Sequence, residues 1–81
     1  MDQPNTISLT ELSVDTHATI LAFHIGTIET TRLASLGFTP GAEVSMTQNY
    51  GYGPLIVTVR GAYVALGRVE AAKILVEQRV E

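Results

Sequence analysis

The sequence predicts a mainly β domain: a small, partly open barrel of about five short strands, with one helix inserted between the first two. Three observations predict it. Apolar and polar residues alternate over 43–48, over 55–60 and around Val64 and Leu66, which is the period of a half-buried strand. Glycine and proline punctuate the chain at Gly26, Gly37, Pro40-Gly41, Gly51, Gly53-Pro54 and Gly61, so each element is short. The chain has 81 residues, of which 46% are hydrophobic. That supports one modest core and is too apolar for a disordered segment.

Residues 1–6 are polar and acidic and read as a disordered leader. They lack the positive region and apolar stretch of a signal peptide. The domain is expected over 7–77, with 78–81 a flexible C-terminus. Ser8 followed three residues later by Glu11 is a capping box, which predicts a helical turn near 8–12 with Leu9 and Leu12 on one core-facing side. Residues 16–25 are β-branched and apolar and predict a strand that Gly26 ends. A helix over about 28–36 follows, with Thr27 as its expected N-cap and Glu29 in the first turn, where a negative charge suits the helix dipole. Ile28, Leu33 and Leu36 are expected roughly on one face. Gly37 stops the helix in the left-handed conformation, which makes Leu33 and Phe38 the pair that touch in a Schellman motif.

Thr39-Pro40-Gly41-Ala42 is a type II turn, with proline fixing φ at its second position and glycine supplying positive φ at its third. The strand over 43–48 comes next, then a loop at Gly51-Tyr52-Gly53-Pro54, then a strand with Leu55, Val57 and Val59 on one face. Arg60-Gly61 turns the chain into a further strand, where Val64 and Leu66 point inward. A helical turn near 68–73 leads to Ile74 and Val76. These alternate with Leu75 and read as an edge strand. Short strands closing on themselves remove exposed edges, and a monomer is the default reading, with a weak dimer as the variant.

Charge and composition exclude several functions. Five basic against eight acidic residues give a net charge of −3, and no basic face for nucleic acid can be assembled. Cysteine is absent, which removes disulfides, thiolate zinc sites, iron–sulfur clusters and cysteine nucleophiles. No run approaches the about 18 apolar residues of a membrane span, so no membrane insertion and a cytoplasmic location are expected.

The order of motifs carries a resemblance. It runs Ser8-Leu9-x-x-Leu12, a strand, Arg32-Leu33-x-x-Leu36-Gly37-Phe38-Thr39-Pro40-Gly41-x-x-Val44, two hairpin strands, Val59-Arg60-Gly61, Val64-Ala65-Leu66, Glu70-Ala71 and Ile74-x-Val76. From about Ile7 to Glu77 this resembles the FeoA family, small cytoplasmic SH3-like proteins associated with the ferrous iron transporter FeoB. Gly37, Pro40, Gly41 and Gly61 carry the structural motif. The resemblance implies a non-enzymatic accessory protein that binds the cytoplasmic part of FeoB, at its G domain or membrane part, and supports or regulates iron uptake. The chain departs from the family at Val14-Asp15, where a Pro-Gly-like turn is usual. It departs again at Gly67, which stands for one of two basic residues, and at the aromatic loop Tyr50-Gly51-Tyr52-Gly53.

No catalytic motif stands out, and no cofactor is expected. Ser35 lies on the predicted helix without a base nearby and reads as a solvated serine. His17 and His24 are an odd number of residues apart and fall on opposite faces of one strand unless a bulge intervenes, so no metal site is expected within one copy. Zinc held between two molecules, and transition-metal binding generally, stay open. Arg32, Arg60 and Arg68 are candidates for a finger toward a GTPase partner, or for plain pairing with Glu29, Glu43 or Glu70. Leu21, Ile56 and Leu75 fall on the outer side by parity, and Tyr50 and Tyr52 flank a glycine loop. The candidate partner-binding set is therefore Tyr50, Tyr52, Leu55, Ile56, Arg32 and Arg68. The alternative function is a free-standing, metal-responsive regulatory domain akin to the C-terminal SH3-like domain of iron- and manganese-dependent repressors.

Overall fold

Six strands, two short helices and one 3-10 turn make up residues 5–78, the part of the chain that the computed structural model describes. The first strand, β1 (Asn5–Ser8), runs into the 3-10 turn Leu9–Glu11. Ser8 Oγ accepts from Thr10 N at 3.1 Å, so Ser8 is the N-cap as expected, but through the second residue of the turn and not through Glu11 as a capping box requires. Leu9 and Leu12 are both fully buried, as their spacing predicts. β2 (His17–Phe23), α1 (Thr27–Ser35), β3 (Glu43–Gln48), β4 (Leu55–Val59), β5 (Ala62–Leu66), α2 (Arg68–Ala71) and β6 (Ile74–Gln78) follow. All pairings are antiparallel in one sheet ordered β1-β6-β2-β3-β4-β5, the mainly β, SH3-like architecture predicted.

Several expectations are corrected. There are six strands rather than about five, because Asn5 and Thr6 are not a disordered leader. They pair with Gln78 and Glu77. Gln78, expected in the flexible C-terminus, lies in β6. Residues 1–4 and 79–81 lie outside the described residues. The helix is consequently inserted between β2 and β3. β6 is not an edge strand but sits between β1 and β2, with Ile74 and Val76 buried on its inner face. The edges are β1 and β5. The sheet does not close, so edge closure lends no support to the monomer reading.

The helix departs from expectation at its start and keeps to it at its end. Gly26, not Thr27, is the N-cap, and no side chain caps it. Ile28 is 82% exposed and Leu36 is exposed too, while Leu33 alone is buried. At about 100° per residue Ile28 sits roughly 140° around the helix from Leu33, so the two cannot share a face. At the C-terminus Phe38 N donates to Leu33 O and Gly37 N to Ala34 O, each at 3.0 Å, with Gly37 at φ 104°. That is the predicted Schellman motif. Ala42 N donates to Thr39 O at 2.9 Å with Gly41 at φ 90°, the predicted type II turn.

Arg60 and Gly61 both have positive φ, 54° and 80°, in the two-residue loop between β4 and β5. This is the geometry of a type I′ turn, whose twist matches the flanking strands. β2 carries an irregularity between Ile20 and Ala22, and β3 carries one between Met46 and Gln48. The first leaves Leu21 unpaired and returns Ile20 and Phe23 to the same inward face, opposite Val76 and Ile74. The core gathers inward residues of the sheet, with Leu9, Leu12, Leu33 and Phe38 closing it from outside the strands.

Candidate partner-docking surface

The loop between β3 and β4 presents two large aromatic side chains to solvent. Tyr50 is 67% and Tyr52 74% exposed, and their ring centroids lie 6.4 Å apart at an interplanar angle of 41°. Gly51 and Gly53, both at positive φ, let the backbone turn between and after them. Asn49, at the loop's start, is a residue the sequence reading missed. Its Nδ2 donates to Thr10 O at 3.0 Å and Leu12 O at 3.1 Å, and its Oδ1 accepts from Gly51 N at 3.0 Å and Arg68 Nη2 at 2.8 Å. Arg68 Nε also donates to Gly53 O at 3.1 Å. No local signal marks Asn49, because a lone asparagine before a glycine loop reads as an ordinary turn residue.

The candidate residues divide by where the strands put them. Ile56 is half-buried on β4, beside the loop. Leu55, taken as a partner-binding candidate, is fully buried. Alternation in β4 turns it inward with Val57 and Val59, so it supports the loop's neighbour from beneath and offers no contact surface. Leu21 is exposed and Leu75 half-buried. Tyr63 at 77% exposed, Val69 and Ile28 are further exposed apolar residues. Tyr63 was legible: with Val64 and Leu66 inward, parity in β5 turns it out.

The arginines are differently employed. Arg32, near the end of α1, forms an ion pair and hydrogen bond with Glu70 on α2, the pairing expected for an exposed arginine. Among the described residues Arg68 pairs with no carboxylate, and it holds the tyrosine loop instead. Arg60 lies against the Schellman glycine, so that a Cβ added at Gly37 would meet its Cδ at 2.9 Å. Among the described residues its guanidinium makes no ion pair or hydrogen bond.

His17 Nδ1 approaches Glu43 Oε2 at 3.4 Å on the outer face of the sheet. They sit beside an open depression of about 480 Å³ that Ser45, Thr58 and Arg60 also line. The β2 irregularity cancels the odd spacing and brings His24 round to the side of His17. Even so, seven residues of extended chain at about 3.3 Å each keep the two far beyond joint chelation. Among the described residues no three histidines or carboxylates gather in a group that could hold a metal ion, and no helix is long and apolar enough to cross a membrane.

A small, unclosed antiparallel sheet with aromatic and aliphatic side chains exposed on its loops and helices defines an SH3-like module. The family is shown as well. The FeoA domain model matches residues 7–78, and the chain belongs to that family. Among solved structures, a crystal structure of an iron uptake regulatory protein (FeoA) matches with a TM-score of 0.87 and 25% identity, over 93% of this chain and 100% of that one. The zinc complex of Stenotrophomonas maltophilia FeoA matches with a TM-score of 0.76 and 33% identity, over 88% of this chain and 89% of that one. That protein is described as a prokaryotic SH3 domain protein with a suggested role as a ferrous iron transport activating factor. A manganese-dependent transcriptional repressor shares the fold, with a TM-score of 0.80 at 20% identity, and this chain spans 45% of its length. No curated protein sequence matches the chain.

Proposed function

We propose that this chain is a non-enzymatic accessory module of ferrous iron uptake that docks on the cytoplasmic part of a FeoB-like transporter and supports or regulates it. Membership of the FeoA domain family over residues 7–78 carries the reading. The suggested role of the Stenotrophomonas relative in ferrous iron transport points the same way. Tyr50 and Tyr52 are the proposed contact residues, flanked by Ile56. Aromatic side chains dominate the energetics of protein interfaces, and an exposed pair of them suits that use. The proposed location is the cytoplasm. Arg32 takes part through its tie between α1 and α2 rather than as a phosphate-stabilising finger, because its guanidinium is already engaged by Glu70.

An NMR titration of the labelled protein with the transporter's cytoplasmic G domain, run with GDP and with a GTP analogue, tests the reading. Shifts clustered at Tyr50, Tyr52 and Ile56 are expected, and no shifts at high micromolar G domain would overturn docking on that domain.

The likeness to the manganese-dependent repressor favours one second reading, a free-standing regulatory domain acting on such a repressor. Binding to the repressor instead of the transporter, in the same titration, is its expected signature.

A further inference from the structure

Residues 50–54 are all exposed, yet the loop they form is held by side-chain hydrogen bonds at its anchor and along its backbone. Five hydrogen bonds converge on it or its anchor, four of them from two distant places and one within the loop. Two run from Asn49 Nδ2 to carbonyls at the end of the 3-10 turn, one from Gly51 N to Asn49 Oδ1, and two from Arg68 at the start of α2 to Asn49 and Gly53. A loop that covers no core gains nothing in burial from being held. What the bonds do fix is the path of the backbone between two exposed tyrosines and so the placement of their rings.

The donor chemistry is specific. Asn49 must donate twice and accept twice, which among short side chains only a carboxamide does. Arg68 uses two nitrogens of one planar guanidinium, at fixed spacing, on two acceptors. An ammonium cannot reproduce that fork.

We propose that Asn49 and Arg68 are positioning residues that preorganise Tyr50 and Tyr52 as a rigid aromatic clip for the partner; this rests on the docking reading given above. Binding by a loop already in its bound shape avoids the ordering entropy that a free glycine-rich loop would lose on contact. Arg68 therefore acts through the loop and does not itself touch the partner.

The test measures loop order and binding separately. Loop order is read from amide exchange at Gly51 and from the Tyr50–Tyr52 ring contact in NMR. Binding is read by titration with the transporter's cytoplasmic G domain. Asn49→Ala and Arg68→Ala are expected to speed Gly51 exchange by roughly ten-fold or more, as loss of a restraining hydrogen bond requires, and to weaken binding about ten-fold. Any fall in amide protection in β2, β3 and β6 should be no larger than the global loss of stability accounts for, and smaller than the fall at Gly51. Arg68→Lys should behave like Arg68→Ala. The Tyr50→Ser/Tyr52→Ser double variant should lose binding while Gly51 stays protected.

Three results overturn the proposal with docking intact. The first is Gly51 exchange unmoved by Arg68→Ala. The second is a loosened loop that binds as tightly as before. The third is weakened binding by Arg68→Ala with the loop still ordered, which would make Arg68 a contact residue. If the unaltered protein fails to bind, docking on the G domain fails and the role assigned to the clip goes with it. Should Asn49→Ala not fold, Arg68→Ala and Arg68→Lys carry the test, since neither removes the anchor to the 3-10 turn.

Discussion

Two glycine-bearing connections, 37–41 and 49–53, look alike in sequence and are held in opposite ways. The first is shaped by backbone bonds between residues at most five apart, with Gly37 and Gly41 taking positive φ where the turns need it, and one further backbone bond, Gly41 N to Ile20 O at 2.8 Å, ties it to β2. The second also has two positive-φ glycines, but its restraints are side chains bonding across as many as 39 residues of sequence. The helix stop and turn of the first connection are encoded where they stand. The second exists only once the sheet has brought the 3-10 turn, the loop and α2 together. Damage to the first should cost the whole fold, while damage to the second should cost mainly the loop and its function.

The largest effect expected from that contrast is Phe38→Ala. Phe38 is fully buried at the end of the Schellman motif, and emptying such a site costs about 3–5 kcal/mol. That rivals the whole stability of a small domain, and thermal unfolding followed by circular dichroism should show little or no folded protein at 37 °C. Next is Gly37→Ala. The φ of 104° suits no side chain, and the left-handed region costs an L-residue about 1–2 kcal/mol. The new Cβ would also push the Arg60 side chain aside. A melting temperature lower by several degrees is expected.

Asn49→Ala should cost about 1 kcal/mol globally by urea titration, a smaller effect spread over several modest hydrogen bonds. If it instead matched Phe38→Ala, the two connections would not differ in the way proposed. Arg32→Ala removes a partly exposed ion pair, and exposed pairs contribute about 0–1 kcal/mol. The smallest stability effect belongs to Tyr52→Ser, within about 0.5 kcal/mol for a side chain 74% exposed. Its effect on partner binding, read in the same NMR titration, should be large.

The same division explains what was legible in the sequence. The helix stop at Gly37, the type II turn at Pro40-Gly41 and the inward faces of β3, β4 and β6 are short-range consequences of stereochemistry and alternation, and all were readable. Asn5 and Thr6 were not. Their polar side chains say nothing of strand, and they become one only because Gln78 and Glu77 offer a ladder. Ile28 misled because hydrophobicity alone suggested burial while its angle around α1 excluded it. At the candidate surface the tyrosines and Ile56 were readable from exposure and parity, and Leu55 should have been set aside by the same parity. Asn49 was unreadable, since its role depends on carbonyls at Thr10 and Leu12 and on the approach of Arg68.

The central place of β6 has a consequence for synthesis. The sheet order puts Ile74–Gln78, made after every other strand, between β1 and β2, which are made before them. Until that strand emerges from the ribosome, the only neighbouring strands available to pair are β2 to β5, with the β6 side of β2 unpaired and β1 without a neighbour. Cooperative folding therefore waits for the last strand, and about fifty residues of loop must close to seat it against β2, an entropic cost that grows only slowly with length. A translating ribosome at about 5–20 residues per second leaves that gap open for seconds. During that interval the growing chain displays two unfilled strand edges to its surroundings.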